Sequence, residues 1–346
     1  MGILDWLRRK PGTDVASAQG SGPREADGAP PPPPANSRRG SRPHLLLLSK
    51  FMAANSPKTF DADYWSQALG ELGATAIEAF RKDGLLVEAS LQESLANGRQ
   101  ATELKALARA KGVKGSGTKV ELAERLVAAD PAGMRALCAE SPLLVCSPEG
   151  SELGASFRRA EDAHRQTVEA EVLELIKLRR GRDAARVVSR FEASQIFSRG
   201  VGIDWSRGDD PGGSEPALNA IFGGVPKILS GASEADIEAL RTAAAASLLW
   251  GDNRGGRWLP DGYTGQFRCD HDVAVRMFVF YGQHIRDLES YRGIVKQVEV
   301  MGTGDGCSEC KKISGRKFAV AHAPELPHPR CTSEVGCRCC LMAVFD

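Results

Sequence analysis

Residues 101–127 read ATELKALARAKGVKGSGTKVELAERLV. Apolar residues recur at helical spacing before Gly112, and a glycine in that position commonly adopts the left-handed conformation that ends a helix. Thr118, with a glutamate three residues later, is a capping box that begins a second helix. The stretch therefore predicts a helical hairpin, with helices over Ala101–Lys111 and Thr118–Ala129 around a glycine-rich loop.

The hairpin is basic, although the chain of 346 residues carries a net charge of only +1. From Arg99 to Arg125 there are seven basic and three acidic side chains, a local balance of +4. Any nucleic-acid surface is therefore expected to be a local patch. The amides of the glycine-rich loop lie at a helix N-terminus, where phosphate binds readily. The residues predicted to contact DNA are Arg109, Lys111, Lys114, Gly115, Ser116, Gly117, Lys119 and Arg125.

This hairpin resembles a SAP domain. The family pattern is a helix ending in Lys-Gly, a short extension, and Ser-Gly-x-Lys-x-x-Leu opening a helix that ends in Arg-Leu. The residues that fall on this pattern are Ser116, Gly117, Lys119, Leu122, Arg125 and Leu126. The resemblance implies binding of duplex DNA, often AT-rich, as an accessory to another activity. We expect a non-enzymatic DNA-binding adaptor. The alternatives are an ordinary helical hairpin with a glycine-rich turn and a SAP-like fold that contacts a protein partner.

Six of the nine cysteines fall between Cys307 and Cys340. In a chain without an export signal, clustered thiols are more typical of metal sites than of disulfides. The first two have the spacing of a zinc knuckle, and a second pair follows roughly twenty residues on, as in structural zinc sites. The predicted zinc ligands are Cys307, Cys310, Cys331 and Cys337, with Cys339 and His328 as alternates. Reduced thiols packed in a small core are the other interpretation.

The segment Val298–Phe345 resembles the C-terminal part of phage Mu-type minor head proteins. The shared features are a strand, a Cys-x-x-Cys turn, Gly315 before a short strand, and Pro-His-Pro-x-Cys and Cys-Arg-Cys before a last strand. This chain departs from the pattern by placing Thr332–Gly336 between Cys331 and Cys337. The resemblance implies a head-assembly structural protein of a phage or prophage, which is the second functional hypothesis.

A third hypothesis is a DNA-acting enzyme with its catalytic domain in the central region. The sequence contains no Walker-type phosphate-binding loop, no dinucleotide fingerprint and no nucleophile elbow. Cys269–Asp272, with His284 farther along a predicted helix, is the remaining group of reactive side chains. Asp270 and Asp272 are more simply the cap and a first-turn charge of that helix. We therefore predict no catalytic residue.

The sequence predicts a mainly α-helical, multi-domain protein. Its N-terminal part, with the run Pro30–Pro34, is too poor in large apolar residues to fold. No stretch reaches the ~18 apolar residues of a membrane span, so a cytoplasmic protein, nucleoid-associated if bound to DNA, is expected. The predicted parts are a disordered linker over 1–59, a helical region over 60–140 with the SAP-like hairpin at 99–130, a central α-helical region over 147–293, and a small C-terminal α+β zinc-binding module over 294–346.

Periodicity also predicts the elements outside the hairpin. Helices are expected over Asp61–Leu69, Ala74–Phe80, Pro131–Cys138, Ser147–Arg180, Ala184–Phe197, Ser233–Trp250 and Asp270–Ser290. A turn is expected at Gly181–Asp183. The segment Val295–Val300 is predicted to be a strand, with possible partners near Lys317–Val320 and Cys340–Phe345.

Overall fold

The computed structural model describes residues 35–200, 203–207, 213–252, 254–265, 267 and 269–345. The chain divides into two compact units, unit one up to Gly150 and unit two from Ser151 onward. Residues 1–34 of the predicted linker, with its proline run, lie outside the described residues. Among the described helices, none has both the length and the apolar character that crossing a membrane requires.

Unit one consists of short helices and a two-stranded antiparallel sheet. Its helices are α1 (Ala35–Gly40), α2 (Arg42–Ser49), α3 (Asp63–Leu69), α4 (Gly73–Lys82), α5 (Leu91–Gly98), α6 (Ala101–Ala110), α7 (Lys119–Ala129) and α8 (Pro131–Ala139). Its strands are β1 (Leu86–Glu88) and β2 (Leu144–Cys146), which pair with Leu86 opposite Cys146. The structure confirms the predicted helices that correspond to α3, α4 and α8.

The predicted disordered linker is wrong for residues 35–59, because they contain α1 and α2. Pro43 lies in the first turn of α2, where its missing N–H has no helical partner to lose. Leu47, Leu48 and Phe51 are completely buried. The leucine run that follows the proline-rich segment therefore supplies apolar surface to the core of unit one, and order begins well before Phe60.

The hairpin of α6 and α7 is confirmed. Gly112 has a φ of +67°, as expected of a glycine that ends a helix. Thr118 accepts a hydrogen bond from the Glu121 amide while the Glu121 carboxylate accepts one from the Thr118 amide, so the capping box is complete. The hairpin shares its core with α5 and α8, which pack against it. The buried residues of this core are Leu95, Ala96, Leu104, Ala108, Leu122, Ala123, Leu126 and Met134.

Unit two contains longer helices. They are α9 (Pro148–Lys177), whose first three residues belong to unit one, α10 (Gly181–Ala193), α11 (Ser214–Gly223), α12 (Glu234–Trp250), α13 (His271–Tyr291) and the short α14 (Ser308–Ile313). Ser233 and Asp270 cap α12 and α13 with their side chains, which confirms both predicted starts. The turn lies slightly earlier in the chain than the predicted Gly181–Asp183. The helix α10 already begins at Gly181, and the positive φ of +60° is found at Arg179.

A three-stranded antiparallel sheet completes unit two, as predicted. Its strands are β3 (Gln297–Met301), β4 (Lys317–Ala319) and β5 (Cys340–Val344), in the order β4-β3-β5. Val298 and Val300 of β3 are buried in the same apolar core as Val273 and Met277 of α13. The predicted boundary between 293 and 294 is therefore not a division of the structure, since one core and one compact unit include both sides of it.

Candidate nucleic-acid interface and metal centre

One side chain, that of Arg125, holds the loop between α6 and α7. Its Nε donates to the carbonyl oxygen of Glu121 at 2.9 Å, its Nη2 donates to that of Ser116 at 2.6 Å, and its Nη1 donates to that of Lys114. The guanidinium carries five N–H donors in a rigid fork, which suits it to bracing two carbonyls of one loop. Arg125 thus shapes the loop through three of its N–H donors.

The backbone amides of the loop are directed by the same contacts. In a planar trans peptide the C=O and the next N–H point in opposite directions. Because the carbonyls of Lys114 and Ser116 face Arg125, the amides of Gly115 and Gly117 point away from it. Within the described chain, the amides of Gly115, Ser116 and Gly117 donate to no protein acceptor. The loop therefore presents spare donors at the start of an 11-residue helix, an arrangement that binds anions.

The predicted basic ligands of DNA fall into two groups. Lys111 forms an ion pair of 2.6 Å with Asp130, so part of its charge is already compensated. Lys114 and Arg109 are exposed and Lys119 is half-buried. In the part of the chain that the structure describes, these three make no ion pair with an acidic side chain. Three of the five predicted cations are therefore available to an external anion.

The C-terminal cysteines converge around α14. Cys307 is the N-cap of α14 and Cys310 lies in its first turn, while Cys331, Cys337 and Cys339 come from the segment between β4 and β5. The Sγ atoms of Cys307 and Cys331 lie 3.8 Å apart, and those of Cys310 and Cys337 also lie 3.8 Å apart. All are free thiols. Tetrahedral coordination with Zn–S bonds of about 2.3 Å separates two sulfurs by about 3.8 Å, so these spacings suit a thiolate-bound cation.

The thiols form two triads that share Cys310. Cys307, Cys310 and Cys331 lie within 4.8 Å of one another, and so do Cys310, Cys337 and Cys339. Among the described residues no set of four meets that limit. The four predicted ligands are therefore brought together, but Cys337 stands with Cys339 instead of completing a tetrahedron with Cys307 and Cys331. Cys339, which was predicted only as an alternate ligand, is a member of the second triad.

His328, the other predicted alternate, is a neighbour of the cluster and not part of either triad. Its backbone amide donates to the Cys337 sulfur at 3.3 Å, and its ring Nδ1 accepts from the Arg330 amide. The Thr332 amide makes the corresponding contact with the Cys307 sulfur at 3.5 Å. Each triad thus has backbone N–H groups directed at a sulfur, which favours the thiolate form that metals bind.

These contacts change the acidity of the thiols. Burial raises the pKa of Cys307, but hydrogen bonds, chiefly from the Thr332 and Cys310 amides, outweigh it and bring that pKa to about 6. A hydrogen bond from the Cys339 thiol lowers the pKa of Cys337 although burial opposes it, and the His328 amide adds to the lowering. Burial raises the pKa of Cys310. The contacts therefore favour the thiolate form of Cys307 and Cys337 and the thiol form of Cys310, and a bound cation would drive all three toward ionisation.

The reactive side chains near the start of α13 form hydrogen bonds with backbone groups. Asp270 accepts from the Val273 amide at 2.8 Å and Asp272 accepts from the Gly256 amide at 2.6 Å. The ring Nε2 of His271 bonds to the Gly265 carbonyl oxygen at 2.9 Å. His284 lies 13 residues farther along the helix, or about 20 Å away at 1.5 Å per residue. These residues therefore do not converge on one site.

Comparison with known proteins finds no matching family model, no similar curated protein and no similar solved structure.

Proposed function

We propose that this protein binds duplex DNA through unit one, as an accessory module that grips the phosphate backbone at the loop between α6 and α7. The observation that carries the proposal is the set of three amides, from Gly115 to Gly117, without an acceptor in the described protein. They stand at the N-terminus of α7, where the helix dipole favours a phosphate. The resemblance of the hairpin to SAP domains supports the same assignment.

Electrostatics strengthens this proposal. Lys114, Lys119 and Arg109 lie in or near the loop and form no ion pair in the described chain, although the Glu121 carboxylate is close enough to Lys114 to interact with its charge. All three cations are therefore placed to contact phosphate. Contacts of this kind fix the position of a protein on the duplex and carry no sequence information themselves. We therefore expect modest affinity, strong dependence on salt and weak discrimination between sequences.

Duplex-DNA affinity as a function of salt tests the proposal. Removing two phosphate contacts with Lys114→Ala/Lys119→Ala should reduce the slope of log K against log salt by about 2, because each contact contributes about 0.9. Lys58→Ala/Lys82→Ala is the matched control, since it removes two exposed lysines elsewhere in unit one and the same total charge. The control should keep the wild-type slope.

Two results would overturn the proposal. One is a slope that falls equally in both double variants, which would show a diffuse effect of net charge. The other is no binding of DNA by the intact protein at low salt. In that case the hairpin is a contact surface for a protein partner, and the head-assembly hypothesis becomes the leading one.

For unit two we propose that the cysteine cluster binds Zn²⁺ in a structural role. The support is the 3.8 Å spacing of the sulfurs and the absence of disulfides among the described cysteines. Cys310 and Cys337 are also part of the main apolar core, so a cation there would tie the sheet segment to the helices. Elemental analysis of the purified full-length protein should find bound zinc that Cys310→Ala removes. Zinc-free protein with unchanged thermal stability after zinc addition would refute the role.

A further inference from the structure

Cys310 occupies a special place among the clustered thiols. Its sulfur is 3.8 Å from that of Cys337, and it is the one member common to both triads. It lies in the first turn of α14 and is 4% exposed, so packing fixes its position between the two groups. The remaining four sulfurs divide into two pairs, one on either side of it.

A single tetrahedral cation does not account for this arrangement. It would need four sulfurs that are all about 3.8 Å from one another. The described cysteines provide no such set, and instead form two triangles that meet at one corner. Two cations bridged by one thiolate have this geometry. We propose that the cluster binds two thiophilic divalent cations, one held by Cys307, Cys310 and Cys331 and the other by Cys310, Cys337 and Cys339.

The charge balance favours the second cation. Five thiolates carry a charge of −5, so one divalent cation leaves −3 and two leave −1. Crowding like charges at under 5 Å in a largely buried site is unfavourable unless cations neutralise them. On binding, each thiol that is still protonated releases its proton to solvent and the sulfur donates an electron pair to the metal. Each cation then has three sulfurs and completes its coordination with a further ligand such as water.

The two positions differ in access. Cys307 and Cys331 are half-buried, and Cys331 lines a cavity of about 750 Å³ bounded by the loop from Lys227 to Ala232. Cys337 and Cys339 are buried, at 1% and 8% exposure. We therefore expect the cation on the Cys307 side to exchange with a chelator faster than the cation on the Cys339 side.

Metal stoichiometry of the full-length protein decides the question. This inference rests on the zinc binding proposed above, and the counts separate the two. After zinc loading and gel filtration, the wild type should contain two zinc ions per chain. Cys307→Ala and Cys339→Ala should each retain one, and Cys310→Ala should lose both. Cys340→Ala is the matched control, because this neighbour of Cys339 belongs to neither triad and should keep two.

A wild-type count of one would overturn the bridged pair and leave the zinc proposal standing, whereas a count of zero would refute both. Titration of the wild type with Co²⁺ counts the metal sites without requiring any cysteine variant to fold. Thiolate-to-metal charge-transfer absorbance of the wild type should rise to an endpoint at two equivalents. An endpoint at one equivalent contradicts the inference, even if every cysteine variant proves unstable.

Discussion

At Gly117 the backbone has a φ of +119°, which residues with a side chain rarely adopt. An added Cβ would lie 2.7 Å from Arg125 Nη2 and would clash with the Glu121 carboxylate. Alanine at this position must therefore displace the loop or the guanidinium that holds it. We expect Gly117→Ala to lower the free energy of unfolding of unit one by about 1–3 kcal/mol. Urea denaturation followed by circular dichroism measures the change.

Gly115→Ala is the control for that substitution. Its φ lies outside the left-handed region, and an added Cβ would meet the Lys105 carbonyl oxygen at 3.7 Å and Arg109 Cγ at 4.0 Å, which are ordinary contacts. We expect its free energy of unfolding to change by no more than about 0.5 kcal/mol. Equal losses in the two variants would show that loop geometry at Gly117 is not the cause.

Single residues also show which features of the interface local sequence patterns predict and which they do not. The pattern around Gly112 and Thr118 correctly predicted the loop and its capping box, because glycine conformation and capping act over a few residues. Charge alone could not show that Arg125 bonds to the carbonyls of its own loop or that Lys111 pairs with Asp130. Both contacts depend on how the chain turns back on itself, which local patterns do not encode.

At the scale of elements, a buried ionic network ties α1 and α2 to the turn between α3 and α4. Arg38 Nε lies 2.7 Å from Glu71 Oε1, and His44 Nε2 lies 2.9 Å from the same oxygen. All three side chains are less than 10% exposed. Glu71→Gln would leave the Arg38 charge buried without its counter-ion. We expect this change to cost about 3–5 kcal/mol in the free energy of unfolding.

A second ion pair of α1 supplies the comparison. Arg39 Nη1 lies 2.5 Å from Glu149 Oε1, but the glutamate side chain is 60% exposed. Solvent screens such a pair, so Glu149→Gln should cost no more than about 1 kcal/mol in the same denaturation experiment. If both variants lost similar stability, burial would not be what makes the Glu71 network important.

Elements with strong local signals were predictable and weakly marked ones were not. The capped helices α7, α12 and α13 were found from sequence, and so was the strand β3 with both its partners. The helices α1, α2, α5, α11 and α14 and the strands β1 and β2 were missed. The two strands are only three residues long, too short for an alternating pattern to emerge. Ser90, with Glu93, forms a capping box that would have marked the start of α5.

At the scale of the molecule, the predicted and observed divisions differ because composition does not reveal which surfaces pack together. The change from a helical to a strand-like sequence pattern after Gly293 predicted a separate cysteine module. In the structure, Leu341 of β5 and Cys310 of α14 share the apolar core of the preceding helices. A small sheet of three strands gains stability by packing on such a helical layer. Whether a segment is independent is decided by these contacts between distant parts of the sequence.

The large core of unit two also encloses a titratable group, His284 of α13, which is 7% exposed and has no partner for its Nδ1 in the described structure. Burial lowers the pKa of His284 to about 4, although the carboxylates of Asp287 and Glu325 act in the opposite direction. The neutral ring is therefore the form that the folded protein holds. In the unfolded chain the same group titrates near its usual value of about 6.5.

The stability of unit two should consequently depend on pH through His284. Between pH 6.5 and 4 the unfolded chain binds a proton that the folded chain excludes, so stability falls as the pH falls and is restored above about 6.5. The difference in pKa corresponds to about 3 kcal/mol at the acid end.

Urea denaturation at a series of pH values should show a shallower decline for His284→Leu than for the wild type. The variant differs from the wild type only at this position, so the difference between the two curves reports on His284. His322→Leu, which removes an exposed histidine of the same unit, should follow the wild-type curve. Parallel curves for the wild type and His284→Leu would show that His284 is protonated as readily in the folded protein as in the unfolded chain.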